Sequence, residues 1–117
     1  MLSLPSAVRI FLCLRPTDMR RSFDGLAAMV RQVLGADPLS GHLFVFISRR
    51  ADRVKILYWD RDGLALWAKR LEQGTFHLPA GEGESLALSA AELALVLEGI
   101  ELAGATRRKR FRMSNDK

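Results

Sequence analysis

The apolar positions of this chain fall into short alternating runs separated by two stretches of helical spacing. Val8, Ile10, Leu12 and Leu14 occupy every second position of residues 8–14, which predicts a strand with one buried face. Pro16 stops that strand, and Thr17 or Asp18 is placed to cap the element that follows. Met19, Phe23, Leu26, Ala27, Val30, Val33 and Leu34 then recur at helical spacing, so residues 18–34 read as an amphipathic helix. Gly25 weakens its interior by about 1 kcal/mol relative to alanine, and Gly35 is suited to end it in a left-handed conformation. "DPLSG" (37–41) is turn chemistry, and "HLFVFIS" (42–48) is a strand apolar enough to be central.

"RRAD" (49–52) turns into a hairpin. Its loop, "DRDG" (60–63), invites three residues with Gly63 at positive φ. That register sets Asp60 opposite Leu64, Tyr58 opposite Leu66, Ile56 opposite Ala68 and Val54 opposite Arg70. One face would carry Val54, Ile56, Tyr58, Leu64, Leu66 and Ala68 as core. The other would carry Arg53, Lys55, Leu57, Trp59, Ala65, Trp67, Lys69 and Leu71. "TFHLP" (75–79) reads as a short last strand and "AGEGES" (80–85) as a flexible acidic loop. Ser89 and Glu92 form a capping box for a helix of about residues 90–102.

Charge is unevenly distributed. Residues 1–70 contain 12 basic and 6 acidic side chains; residues 71–103 contain 6 acidic and none basic. Residues 104–117 contain 6 basic and 1 acidic, within a chain of net charge +5. Two basic blocks flanking an acidic one point to an anionic partner. With 117 residues there is room for one core. The single cysteine, Cys13, excludes an internal disulfide and suits a reducing compartment. It sits in an apolar strand and reads as a small hydrophobe. No run reaches the roughly 18 apolar residues of a membrane span. The leader-like start is broken by Pro5 and Arg9, so a cytoplasmic protein with no membrane partner is expected.

The basic side chains Arg53, Lys55 and Lys69, interleaved with Trp59 and Trp67, are candidates for phosphate contacts and for stacking on a base or sugar. The alternative is that the tryptophans are covered by a helix and the cations form a solvated rim. "RRKRFR" supplies Arg107, Arg108, Lys109, Arg110 and Arg112 as a further electrostatic arm, or as a solubilising tail. Asp18, Asp24, Asp52, Asp60 and Asp62 mostly occupy cap and turn positions, so no catalytic residue is assigned. His42 and His77 lack metal-ligand spacing, and no phosphate-binding or dinucleotide loop occurs. No metal or other cofactor is expected.

"TDMRRSFDGLA", "DPLSGHLFVF", "RADRVKILYWDRDGLALWAKRLEQGTFHLP" and "LEGIEL" resemble, in order and spacing, the Orf2-like accessory family (TnpB) of insertion-sequence-66 transposons. This family is distinct from the RNA-guided nuclease that shares the name TnpB. The resemblance covers about residues 4–102. It implies a bacterial mobile-element protein encoded beside a separate transposase, with a supporting role in transposition. Ala51 and Ser22 stand where the family more often has glycine.

These readings converge on an α+β fold in one small domain, residues 1–103. It should have a mainly antiparallel sheet of four or five strands and two principal helices, followed by a basic tail, residues 104–117, expected to be disordered. The expected function is a non-catalytic accessory role in DNA transposition, exercised by binding DNA such as transposon ends, with the transposase and the element's other accessory protein as further partners. The alternatives are a module that docks on the transposase without touching DNA, and a metal-dependent nuclease.

Overall fold

The computed structural model describes residues 7–99. The chain runs β1 (Ile10–Cys13), α1 (Phe23–Gln32), β2 (Leu43–Ile47), β3 (Arg53–Asp60), β4 (Gly63–Arg70), β5 (Ser85–Leu88) and α2 (Ala90–Glu98). The strands form one sheet in the order β4-β3-β2-β1-β5. β1 and β2 are parallel, joined through α1, and every other pairing is antiparallel. The expected mainly antiparallel α+β sheet with two helices is the observed architecture.

β2 shows why the sheet has two covered faces. All five residues of "LFVFI" are buried, so its alternating side chains supply two cores. Phe44 and Phe46 pack with Cys13 and Leu57 beneath Leu26, Ala27, Met29 and Val30 of α1. Leu43, Val45 and Ile47 pack with Ile10, Leu12, Val54, Ile56 and Phe76 beneath Leu93, Val96 and Leu97 of α2. Each fully buried phenylalanine or leucine in these layers contributes roughly 1.5–3 kcal/mol. Burial also raises the Cys13 thiol pKa above its ordinary value, which fits a packing role.

Four sequence expectations change. First, α1 begins at Phe23, not at residue 18, and the N-cap position is Ser22, whose side chain makes no capping bond. The Asp18 carboxylate accepts from the Arg20 main-chain N–H and side chain, folding residues 18–20 into their own turn. Side-chain bonding of this local kind competes with the helix.

Second, the hairpin loop has two residues. Asp60 pairs with Gly63, and Arg61, at φ 60°, takes the left-handed conformation expected of Gly63. Every cross-strand pair therefore shifts by one: Tyr58 faces Ala65, Ile56 faces Trp67 and Val54 faces Lys69. Leu64 and Leu66 join the α1 layer, while Trp67 packs against the α2 layer.

Third, residues 75–79 form no strand. The edge is β5, paired with β1 from within the stretch read as a loop and its sequel. Phe76 is held by its N–H donating to the Ala51 carbonyl, and its ring is buried. Fourth, α2 stops at Glu98, with Gly99 in a left-handed cap at φ 80°. The Ser89–Glu92 capping box is present in both directions. The remainder of the proposed helix, residues 100–102, and the basic tail lie outside the described residues.

Ala51 has φ 59°, a left-handed conformation that glycine adopts without strain. A left-handed L-residue carries about 1–2 kcal/mol of strain, and glycine loses about 0.5–1 kcal/mol more backbone entropy on folding. Ala51→Gly is expected to stabilise the domain by about 0.5–1 kcal/mol, read as an upward shift in the thermal midpoint. A downward shift would mean that packing of the alanine methyl on the α2-side core outweighs the strain.

Candidate functional site

One end of the sheet gathers the segments that follow β1 and β2 with the start of β3 and the end of β4. The Thr17 N–H donates to the Ile47 carbonyl at 2.9 Å, joining the segment after β1 to the end of β2. The Leu71 N–H donates to the Asp52 carbonyl at 2.7 Å, joining the end of β4 to the β2–β3 turn. Within that turn the Ser48 hydroxyl donates to Asp52 and accepts from the Arg53 N–H.

Three open depressions run along this end, with volumes of about 560, 380 and 490 Å³. The first and second share Thr17, Asp18 and Arg49; the second and third share Met19 and Arg53. They therefore form one continuous groove. Arg15, Arg21 and Arg49 line its first part, Arg20, Arg50 and Arg53 its middle, and Lys55, Lys69 and Arg70 its last.

The cations divide into two groups. Arg15 pairs with Glu84 at 3.1 Å, Arg20 with Asp18 at 2.7 Å and Arg70 with Glu72 at 3.1 Å. All three pairs are exposed, so each contributes little to stability. Arg21, Arg49, Arg50, Arg53 and Lys69 are exposed and make no ion pair among the described residues. They leave the middle and far parts of the groove with uncompensated positive charge.

Lys55 has a different role. Its ammonium donates to the carbonyls of Met19 and Arg21, both at 2.8 Å. This contact from β3 fixes the segment that carries Arg20 and Arg21 in front of α1, and it turns two carbonyls away from helical bonding.

The structure separates the residues that the sequence reading grouped. Arg53 and Lys55 share a face with Trp59, but Trp67 and Lys69 lie on the other face, opposite Ile56 and Val54. Trp59 sits at the hairpin end of β3, about 20 Å along the strand from Arg53 at 3.4 Å per residue. Both indoles are only partly exposed, and neither lines the groove. Arg53, Lys55 and Lys69 do line it. Arg107, Arg108, Lys109, Arg110 and Arg112 lie outside the described residues.

Arg15, Arg20, Arg21, Arg49, Arg50 and Arg70 were not singled out from sequence. The paired arginines of "MRRS" and "SRRA" were the available signal, because each pair falls in a connection beyond a strand end. Among the described residues no three of histidine, cysteine, aspartate and glutamate come close enough to hold a metal ion. The His42 Nδ1 accepts from the Arg9 N–H at 3.0 Å, and its ring packs edge-on against Phe11. No described helix is long and apolar enough to cross a membrane.

The arrangement defines a small three-layer α+β domain with a cationic groove at one sheet end. A family model described as "IS66 Orf2 like protein" matches residues 8–107, and the chain belongs to this family of insertion-sequence accessory proteins. It is similar to two proteins of Sinorhizobium fredii (strain NBRC 101917 / NGR234). It is 42% identical to "Uncharacterized protein y4hO" over 100 residues, 84% of this chain and 87% of that protein. It is 39% identical to "Uncharacterized protein y4jC" over 94 residues, 80% of each. No solved structure gives a significant match.

Hydrogen bonds from Arg20 hold the Asp18 carboxyl down at about 2. An NMR titration should find the Asp18 midpoint there, and Arg20→Ala should return it toward about 3.9. Because the folded value is the lower one, the pair's contribution is complete above the unfolded value and fades as pH falls through about 2. An Asp18 midpoint unmoved by Arg20→Ala would contradict the pairing.

Lys55→Met removes the ammonium but keeps much of the apolar stem. It should cost about 1.5–3 kcal/mol, the usual range for a hydrogen bond to a charged group, and speed amide exchange across residues 18–22. Unchanged exchange there would show that the segment is held by something else.

Proposed function

We propose that this protein acts in transposition as a non-catalytic DNA-binding factor, and that the groove at the end of the sheet is its DNA-facing surface. The observation that carries this reading is the set of five exposed cations without an ion pair, Arg21, Arg49, Arg50, Arg53 and Lys69, in one groove with Arg15 and Arg70. Phosphate neutralisation by lysine and arginine, with release of condensed counterions, is the general source of sequence-independent affinity for DNA. Arginine also presents a planar fork suited to two phosphate oxygens at once. The sequence of the tail, with five cations in residues 107–112, would add to the same electrostatic attraction.

The contact surface is then the sheet end and not the hairpin face. Arg53 and Lys69 remain within it. Lys55 becomes a positioning residue for Arg20 and Arg21, and the tryptophans become packing residues. The transposase and the element's terminal DNA are the natural partners of such a factor.

Binding of the full chain to a DNA duplex carrying the element's end should weaken steeply with salt. An Arg49→Ala, Arg53→Ala double variant should reduce the slope of log affinity against log salt by about two units, with the thermal midpoint essentially unchanged. Capture of the transposase that tolerates high salt, together with no groove-dependent affinity for DNA, would replace this reading with the protein-docking one.

A further inference from the structure

We infer that the groove takes the phosphate backbone of double-stranded nucleic acid and does not stack bases, so that its ligand is duplex DNA bound without regard to sequence. The inference rests on the DNA-binding reading above and names which form of DNA that site accepts.

Two observations carry it. The first is the lining. Proteins that hold single strands combine a cationic track with aromatic side chains on which successive bases stack. The residues lining this groove include no aromatic ring. Neither tryptophan lines it: Trp59 is at the far end of β3, and Trp67, next in the chain to the lining residue Ala68, packs against the α2-side core. An unstacked base entering the groove would meet guanidinium groups, carboxylates and aliphatic side chains such as Met19, Met29 and Val33, and no aromatic face.

The second observation is the shape. The groove crosses the ends of β1, β2, β3 and β4, and three strand spacings of about 4.8 Å give a run of about 14 Å. One strand of B-DNA advances about 3.4 Å per phosphate along its axis, so the run matches about four phosphates. The groove is open to solvent, most widely in its middle and last parts. The middle of the groove is lined by Arg20, Arg49, Arg50 and Arg53, cations suited to phosphate oxygens, and phosphate contacts fix position without carrying sequence information.

The two indoles make the test direct. The full chain is titrated with a mixed-sequence duplex of about 20 base pairs, a second duplex of scrambled sequence, and a single strand of the same length, at matched low salt. The expected result has three parts. The two duplexes bind within about twofold of each other, the single strand binds at least about fivefold more weakly, and saturating DNA leaves tryptophan emission unquenched. Arg49→Ala, Arg53→Ala should reduce affinity for both duplexes equally. Groove-dependent binding that favours the single strand, or that quenches tryptophan emission strongly, would overturn this inference while leaving the DNA-binding function in place. A marked preference for one duplex sequence would overturn its sequence-independent part in the same way. Absence of groove-dependent binding to all three DNAs would overturn both.

Discussion

A strand that is apolar on both faces cannot lie at the surface of a sheet, and β2 imposes that constraint on the whole domain. "LFVFI" is buried at every position, so it needs neighbours on both edges and a layer on each side. β1 and β3 supply the edges. α1 covers Phe44 and Phe46, and α2 with Phe76 covers Leu43, Val45 and Ile47. Because β1 and β2 run parallel and α1 joins them over one face, the chain leaves both strands at the same end of the sheet. The arginines that follow each strand are brought together by this topology, although they are far apart in sequence.

Arg20 and Arg21 depend on a second device. The connection between β1 and α1 would be free to extend the helix, as its sequence suggests. Lys55 prevents this by drawing the Met19 and Arg21 carbonyls toward β3. Asp18 supports it from within the connection by holding the Arg20 side chain and main chain together. A lysine side chain that sequence alone assigns to a ligand thus orders the segment that presents other cations.

The elements whose pattern is local were legible. β1 alternates cleanly, β2 is continuously apolar, α2 opens with a capping box, and the structure has each of them. The start of α1 was not legible, because a long-range contact from Lys55 decides it. β5 was not either: "SLAL" is too short to stand out, and pairing with β1 makes it a strand. The hairpin was recognised but its register was not, since "DRDG" serves a two-residue or a three-residue loop. The choice of Arg61 over Gly63 for the left-handed position is invisible in the residue types. The candidate site suffered the same fate. Alternation placed Arg53 and Lys69 on one face of the hairpin, whereas the two-residue loop sets them on opposite faces, and Arg49 and Arg50 acquire their neighbours only when the strand order brings their turn beside the segment after β1.

The hairpin loop has a consequence for how this domain can vary. Strand side chains alternate with a period of two, so the parity of the loop decides which layer each residue of β4 joins. With two residues between Asp60 and Gly63, Trp67 belongs to the α2 side and Leu66 to the α1 side. Insertion of a single residue at the tip would exchange the two allegiances along all of β4, placing an indole where a leucine now fits. Residue identity at the tip is a matter of modest strain, but residue count there acts as a parity bit for the whole of β4. The fold therefore tolerates a change of residue type in that turn far more readily than a change of its length.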